Sequence, residues 1–179
     1  MRENSAMELR IGSQDLAAIV ELAERAHPLE CCGLLVGRAE KNWVSIAEIH
    51  PTANAWEGEA ARDFEATFAG RDPDFGIGRS DMQPEVPTAE RRYTIDPRIM
   101  LAVQKSARDR GLAIVGVYHS HPEHPAIPSE YDREFAWSGY VYPIVSVQHG
   151  QPSTVRAWAI GDDRQFRELT IAAKRHKEI

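Results

Sequence analysis

Two histidines, His119 and His121, stand two residues apart. Side chains at i and i+2 of an extended segment share a face, so both imidazoles point the same way and a metal ion fits between them. Open zinc sites take three protein ligands, from nitrogen and carboxylate oxygen, plus a water. Asp132, beyond a loop bounded by Pro122 and Pro128, is the nearest carboxylate able to close such a set. Plainer readings stand beside this one. His-x-His also occurs on solvated strands, and Ser129-x-x-Asp132 is a capping box at a helix start; the two readings of Ser129 and Asp132 are compatible. The apolar run 112–118 favours the metal, because it predicts a buried strand that delivers the histidines at its carboxyl end, where ligands bind in open α/β sheets.

Glu30 is the second unusual residue, a lone carboxylate at the mouth of the apolar stretch 29–37. It is either a solvated strand end or a base placed beside the metal site. The two cysteines, Cys31 and Cys32, are adjacent and make a poor disulfide framework, which points to a reducing, cytoplasmic setting. The chain has 179 residues, 21 Lys and Arg against 27 Asp and Glu, and a formal net charge of -6. That length suits one domain, expected over 7–173, with a core that needs no disulfides. The charge argues against a nucleic-acid partner, which asks for concentrated positive charge. No apolar run reaches about 18 residues and no signal segment is seen, so no membrane partner is expected.

The elements that position these residues follow from periodicity. Leu9 and Ile11 end a short strand, Ser13 caps a helix over 14–26, and His27-Pro28 stops it. The stretch 29–37 pairs with a strand over 43–49. His50 and Asn54 near its end either approach the site or, more simply, lie on the surface. Residues 55–92 form an insertion or long loop, with a short helix over 59–68. Asp96 and Pro97 then open a helix whose face holds Ile99, Val103 and Ala107 and which Gly111 terminates. After the histidines come a helix over 130–138 and a strand over 140–147, which Pro143 marks as an edge or a bulge. A connection over 148–153, strands over 154–160 and 166–171, and a solvated tail over 174–177 complete the chain. The fold class is α/β, a mixed, largely antiparallel sheet packed with helices.

Glu30, His119-Ser120-His121, seven residues, Ser129, two residues and Asp132 together resemble the motif of the JAMM, or MPN-plus, zinc metallopeptidases. The stretch 28–37 is similar to that family's Pro-x-Glu-x-Cys-Gly segment, and 93–97 to the entry of its second helix. The resemblance runs from about Leu9 to Ile171, interrupted by 55–92. It implies a cytidine-deaminase-like JAMM/MPN fold with Zn2+ on His119, His121 and Asp132. Glu30 is then similar to the family's general acid/base, and Ser129 to the residue that steadies the tetrahedral intermediate. Cys31 and Cys32 are left to core packing and His124 to the loop. The implied reaction is hydrolysis of a peptide or isopeptide bond after the carboxyl-terminal glycine of a ubiquitin-like or sulfur-carrier protein ending in Gly-Gly. A noncatalytic ubiquitin-like-protein binding or scaffold domain is the alternative, a small-molecule zinc amidohydrolase is a third, and a homodimer is left open.

Overall fold

The computed structural model describes residues 7–56, 89 and 92–174. The helix expected over 59–68, nearly all of the expected insertion at 55–92, and the tail from 175 lie outside the described residues. The elements are β1 (Glu8–Ile11), α1 (Ser13–Ala26), β2 (Cys32–Ala39), β3 (Trp43–Thr52), α2 (Pro97–Asp109), β4 (Ala113–Pro122), α3 (Glu130–Phe135), β5 (Val141–Gln148), β6 (Gln151–Ile160) and β7 (Phe166–Ala173).

The strands are ordered β1-β3-β2-β4-β5-β6-β7, and β1 pairs with β7 to close the ring. Pairs β1–β3, β1–β7 and β4–β5 are parallel; β2–β3, β2–β4, β5–β6 and β6–β7 are antiparallel. The expected mixed sheet is thus present, but closed rather than open. Alternation along β2 explains its unbroken apolar run: Leu35 packs in the core that takes up Ile19 and Ala23 of α1, whereas Leu34 and Val36 pack in the core that takes up Ala107 of α2. A strand covered on both faces needs no polar side.

Several local expectations are corrected. Ser13 is the first helical residue rather than the cap; Gly12 is the N-cap, in extended conformation and with no side-chain cap bond. Ile99 is 39% exposed, and the packed face of α2 is Met100, Val103 and Ala107. Asp96 does cap α2, accepting a hydrogen bond from Arg98 N. Helix α3 ends at Phe135 and not at Ser138, because Ala136 turns extended and the Tyr142 hydroxyl accepts the Trp137 N–H at 2.6 Å. Strand β5 is no edge. It runs between β4 and β6, with the ladder to β4 lapsing at Tyr142 and Pro143, where an N–H is lacking, and a bulge between Ser146 and Val147. The β5–β6 connection is only His149-Gly150, both at positive φ (52° and 74°), the geometry of a tight two-residue hairpin.

Candidate metal centre

Strand β4 sits between β2 and β5, with Cys32 opposite His119 on one side and Ile144 and Ser146 opposite His119 and His121 on the other. Both histidines are buried. Their Nε2 atoms lie 3.0 Å apart. His121 Nδ1 lies 2.9 Å from the Pro125 carbonyl; donating its proton there leaves Nε2 with a free lone pair. His119 Nδ1 has no hydrogen-bond partner among the described residues, and its ring is stacked against Tyr93 at 4.6 Å. Alternation turns Ser120 to the opposite face. There its Oγ accepts the Cys31 N–H at 2.8 Å, and its own N–H donates to the Cys31 carbonyl at 3.1 Å.

Asp132 comes from the first turn of α3. The capping box expected from spacing is complete: Ser129 Oγ accepts the Asp132 N–H, and Ser129 N donates to Asp132 Oδ2 at 2.6 Å. The Ser129 hydroxyl donates to the same oxygen at 2.7 Å. Oδ1 faces His119 Nε2 at 3.2 Å, and Oδ2 lies 3.4 Å from His121 Nε2. His119, His121 and Asp132 form the one group of three metal-ligating side chains among the described residues whose ligand atoms all lie within 4.8 Å of one another. Tetrahedral zinc with bonds of about 2.0–2.1 Å sets its ligand atoms roughly 3.3 Å apart; the two Nε2 atoms at 3.0 Å and their distances of 3.2 and 3.4 Å to the two different oxygens of Asp132 lie near that value. Two imidazole lone pairs and a carboxylate, buried at such spacing, are a donor set that can coordinate a metal.

The electrostatics agree. Burial holds the His119 imidazole below its ordinary value against the pull of Asp132, which favours the neutral, ligating form. Burial works to raise the Asp132 carboxyl, but His119 and His121 outweigh it and keep it ionised, well below the usual range. Glu30, 6% exposed, is pushed up to about 9 by burial and then by the charge of Asp132, with Arg92 opposing. A cation held by the triad works against that rise. The main chain of Glu30 is anchored at both ends: its N–H donates to Ala89 O at 2.9 Å, and its carbonyl accepts from Asn54 Nδ2 at 3.1 Å.

The remaining candidates fall around this centre. Ser129 is exposed at the helix start, and His124 lies on the loop outside the triad, its carbonyl accepting from Ser146 Oγ. Cys31 and Cys32 are free thiols, raised by burial to about 11 and about 12. His50 pairs with Glu48. Asn54, for which a surface role was the simpler reading, is instead engaged with the Glu30 segment. Nothing in its sequence neighbourhood signals this, and the same is true of Tyr93.

A His-x-His strand facing the capped carboxylate of a short helix, on a closed mixed sheet, defines a metallopeptidase type of centre. The chain belongs to the family described as prokaryotic homologs of the JAB domain, which matches residues 13–161, so the JAMM/MPN resemblance holds. It is 33% identical over 148 residues to the desampylase of Haloferax volcanii, covering 82% of this chain and 80% of that protein. It is also 27% identical over 82 residues to the desampylase of Pyrococcus furiosus, covering 46% of this chain and 56% of that protein. The solution structure of a protein from Desulfitobacterium hafniense shares the fold, with a TM-score of 0.65 and 24% identity over 94% of each chain.

Proposed function

We propose that this protein is a zinc metallopeptidase that hydrolyses the peptide or isopeptide bond after the carboxyl-terminal glycine of a ubiquitin-like or sulfur-carrier protein with a Gly-Gly end. The observation that carries the reading is the buried convergence of His119, His121 and Asp132, close to the buried carboxyl of Glu30, whose main chain is anchored on both sides. The desampylase relatives support the substrate class. His119, His121 and Asp132 would hold the zinc, which would supply Lewis acidity for a carbonyl and a water at neutral pH. Glu30 accepts the proton of that water and passes it to the departing amine, which leaves poorly without one. Ser129 holds the Asp132 carboxylate, and its role in this reading is to donate to the negative charge that develops on the substrate. Its single hydroxyl proton goes to Asp132 Oδ2 at rest, so donation to substrate leaves Ser129 holding that oxygen through its N–H alone.

No helix among the described residues is long and apolar enough to cross a membrane, and the adjacent free thiols support a reducing, cytoplasmic setting. The test uses carrier proteins extended past Gly-Gly by a peptide or joined through a lysine. Wild type is expected to bind about one zinc and cleave, while Glu30→Gln keeps zinc and loses roughly 10²- to 10⁴-fold in rate. A zinc-loaded wild type inert on every carrier fusion would point to a binding domain. Turnover of simple amides without a carrier would point to a small-molecule amidohydrolase.

A further inference from the structure

Asn54 lies just past β3, and its amide is fully used. Nδ2 donates to the Glu30 carbonyl at 3.1 Å and to the Arg92 carbonyl at 2.9 Å. Oδ1 accepts from Trp56 N at 3.1 Å and from Thr94 N at 3.2 Å. A carboxamide offers two N–H donors and two carbonyl lone pairs, so every valence has a partner. The orientation is also unambiguous, because a flipped amide would set its oxygen against two carbonyls and its NH₂ against two N–H groups. No other side chain of this size supplies that pattern: aspartate has no donor, serine has one, and alanine has nothing. Ala55 N adds a bond to Thr94 O at 2.9 Å. Three segments therefore meet at one side chain: that before β2, that after β3 and that before α2.

The consequence lies at Glu30. Its neighbour Cys31 is held from the other side by Ser120, the residue between the two triad histidines. Glu30 is thus gripped between β4, which sets its relation to His119 and His121, and Asn54, which stops its carbonyl from turning away. We infer that Asn54 is a positioning residue that fixes Glu30 against the metal triad; this rests on the reading of Glu30 as the acid/base. Proton transfer needs a heavy-atom approach of about 2.6–3.2 Å, and a misplacement of about 1 Å costs up to roughly 100-fold. The triad side chains themselves stand on β4 and α3 and none of them touches Asn54; its nearest link to them runs through Arg92 and Thr94, which flank the Tyr93 ring stacked on His119.

The test compares Asn54→Asp and Asn54→Ala with wild type in the full chain. Aspartate keeps the acceptors for Trp56 and Thr94 but turns an oxygen toward the Glu30 and Arg92 carbonyls. In both variants kcat per zinc-loaded enzyme is expected to fall about 10- to 100-fold, with KM within about twofold and zinc content unchanged. Leu169→Ala, in the β7 core, controls for lost stability alone and should leave kcat intact. If neither Asn54 variant folds, Asn54→Ser keeps one donor and should show the same split at smaller size. In the Glu30→Gln background, Asn54→Asp should cost nothing further. An unchanged kcat in the Asn54 variants, or an undiminished second loss in the Glu30→Gln background, overturns the positioning role while leaving the acid/base reading intact. Full activity of Glu30→Gln alone overturns the acid/base reading and the positioning role with it.

Discussion

At the scale of single residues, Glu30 gives the centre a pH signature of its own. Its folded carboxyl titrates at about 9 against an ordinary 4.5. The native state therefore keeps a proton that the unfolded chain has released, and stability falls as pH rises across that window. His119 is shifted the other way, down from 6.5, so it stabilises progressively up to that pH and contributes no slope above it. From about pH 7 to 8, below the range where the thiols of Cys31 and Cys32 ionise in the unfolded chain, Glu30 is expected to dominate, and chelator-treated protein should lose up to about 1.4 kcal/mol per pH unit. Urea unfolding at the two ends of that range measures it; Glu30→Gln should flatten the slope, and an equally steep variant would remove Glu30 as its source. Loading with zinc should also shallow it, since a cation beside the carboxyl favours the ionised form. The histidine pair and the capped Asp132 were legible beforehand, because i,i+2 on a strand and S-x-x-D at a helix start are local rules. Asn54 was not, since three of its four partners, Glu30, Arg92 and Thr94, come from chain segments that only the fold brings together.

At the scale of elements, β4 is the part whose placement matters most. Gly116 is paired with Val141 in the parallel ladder three residues before His119, and a Cβ there would collide with the Val141 carbonyl oxygen and come 2.7 Å from its Cγ2. Gly116→Ala is expected to cost about 1–3 kcal/mol in urea unfolding, the range of core overpacking, and to weaken zinc binding by displacing the histidines. A variant as stable as wild type would show that β4 and β5 part without strain. The apolar run before the histidines predicted this strand well. Pro143 pointed to an edge or a bulge: β5 does carry a bulge, between Ser146 and Val147, but it is no edge, and the proline is tolerated inside the sheet because β5 skips the β4 ladder there. The hairpin at His149-Gly150 was read too long, since histidine is an unusual residue to take positive φ. Helix α3 stopped early for a tertiary reason, the hydroxyl of Tyr142 on the neighbouring strand.

At the scale of the molecule, the triad joins β4 to α3 across the loop that separates them in sequence. Metal binding should therefore stabilise the whole fold by linkage, by about 2.7 kcal/mol at a free zinc concentration 100-fold above Kd. Chelation is expected to lower the thermal midpoint of wild type and to leave that of Asp132→Asn almost unmoved. An equal shift in both would place the bound metal elsewhere. The net charge of -6 is a property of the entire surface and leaves the local site untouched, because the triad is buried and its balance is set by the groups within a few ångströms.

By itself the sequence determined the metal-ligand spacing, the cap that presents Asp132, the reading of Glu30 as unusual, and a mixed α/β sheet. All of these are written in residues close along the chain or in a spaced motif of matching residue types. Only the tertiary structure decided that the sheet closes through β1 and β7, that β5 is interior, and that His119 is held by stacking against Tyr93. It alone also decided that Glu30 is clasped by Asn54 on one side and, through Cys31, by Ser120 on the other. Those outcomes depend on hydrogen bonds and packing between segments tens of residues apart, where the identity of one partner says nothing about the position of the other.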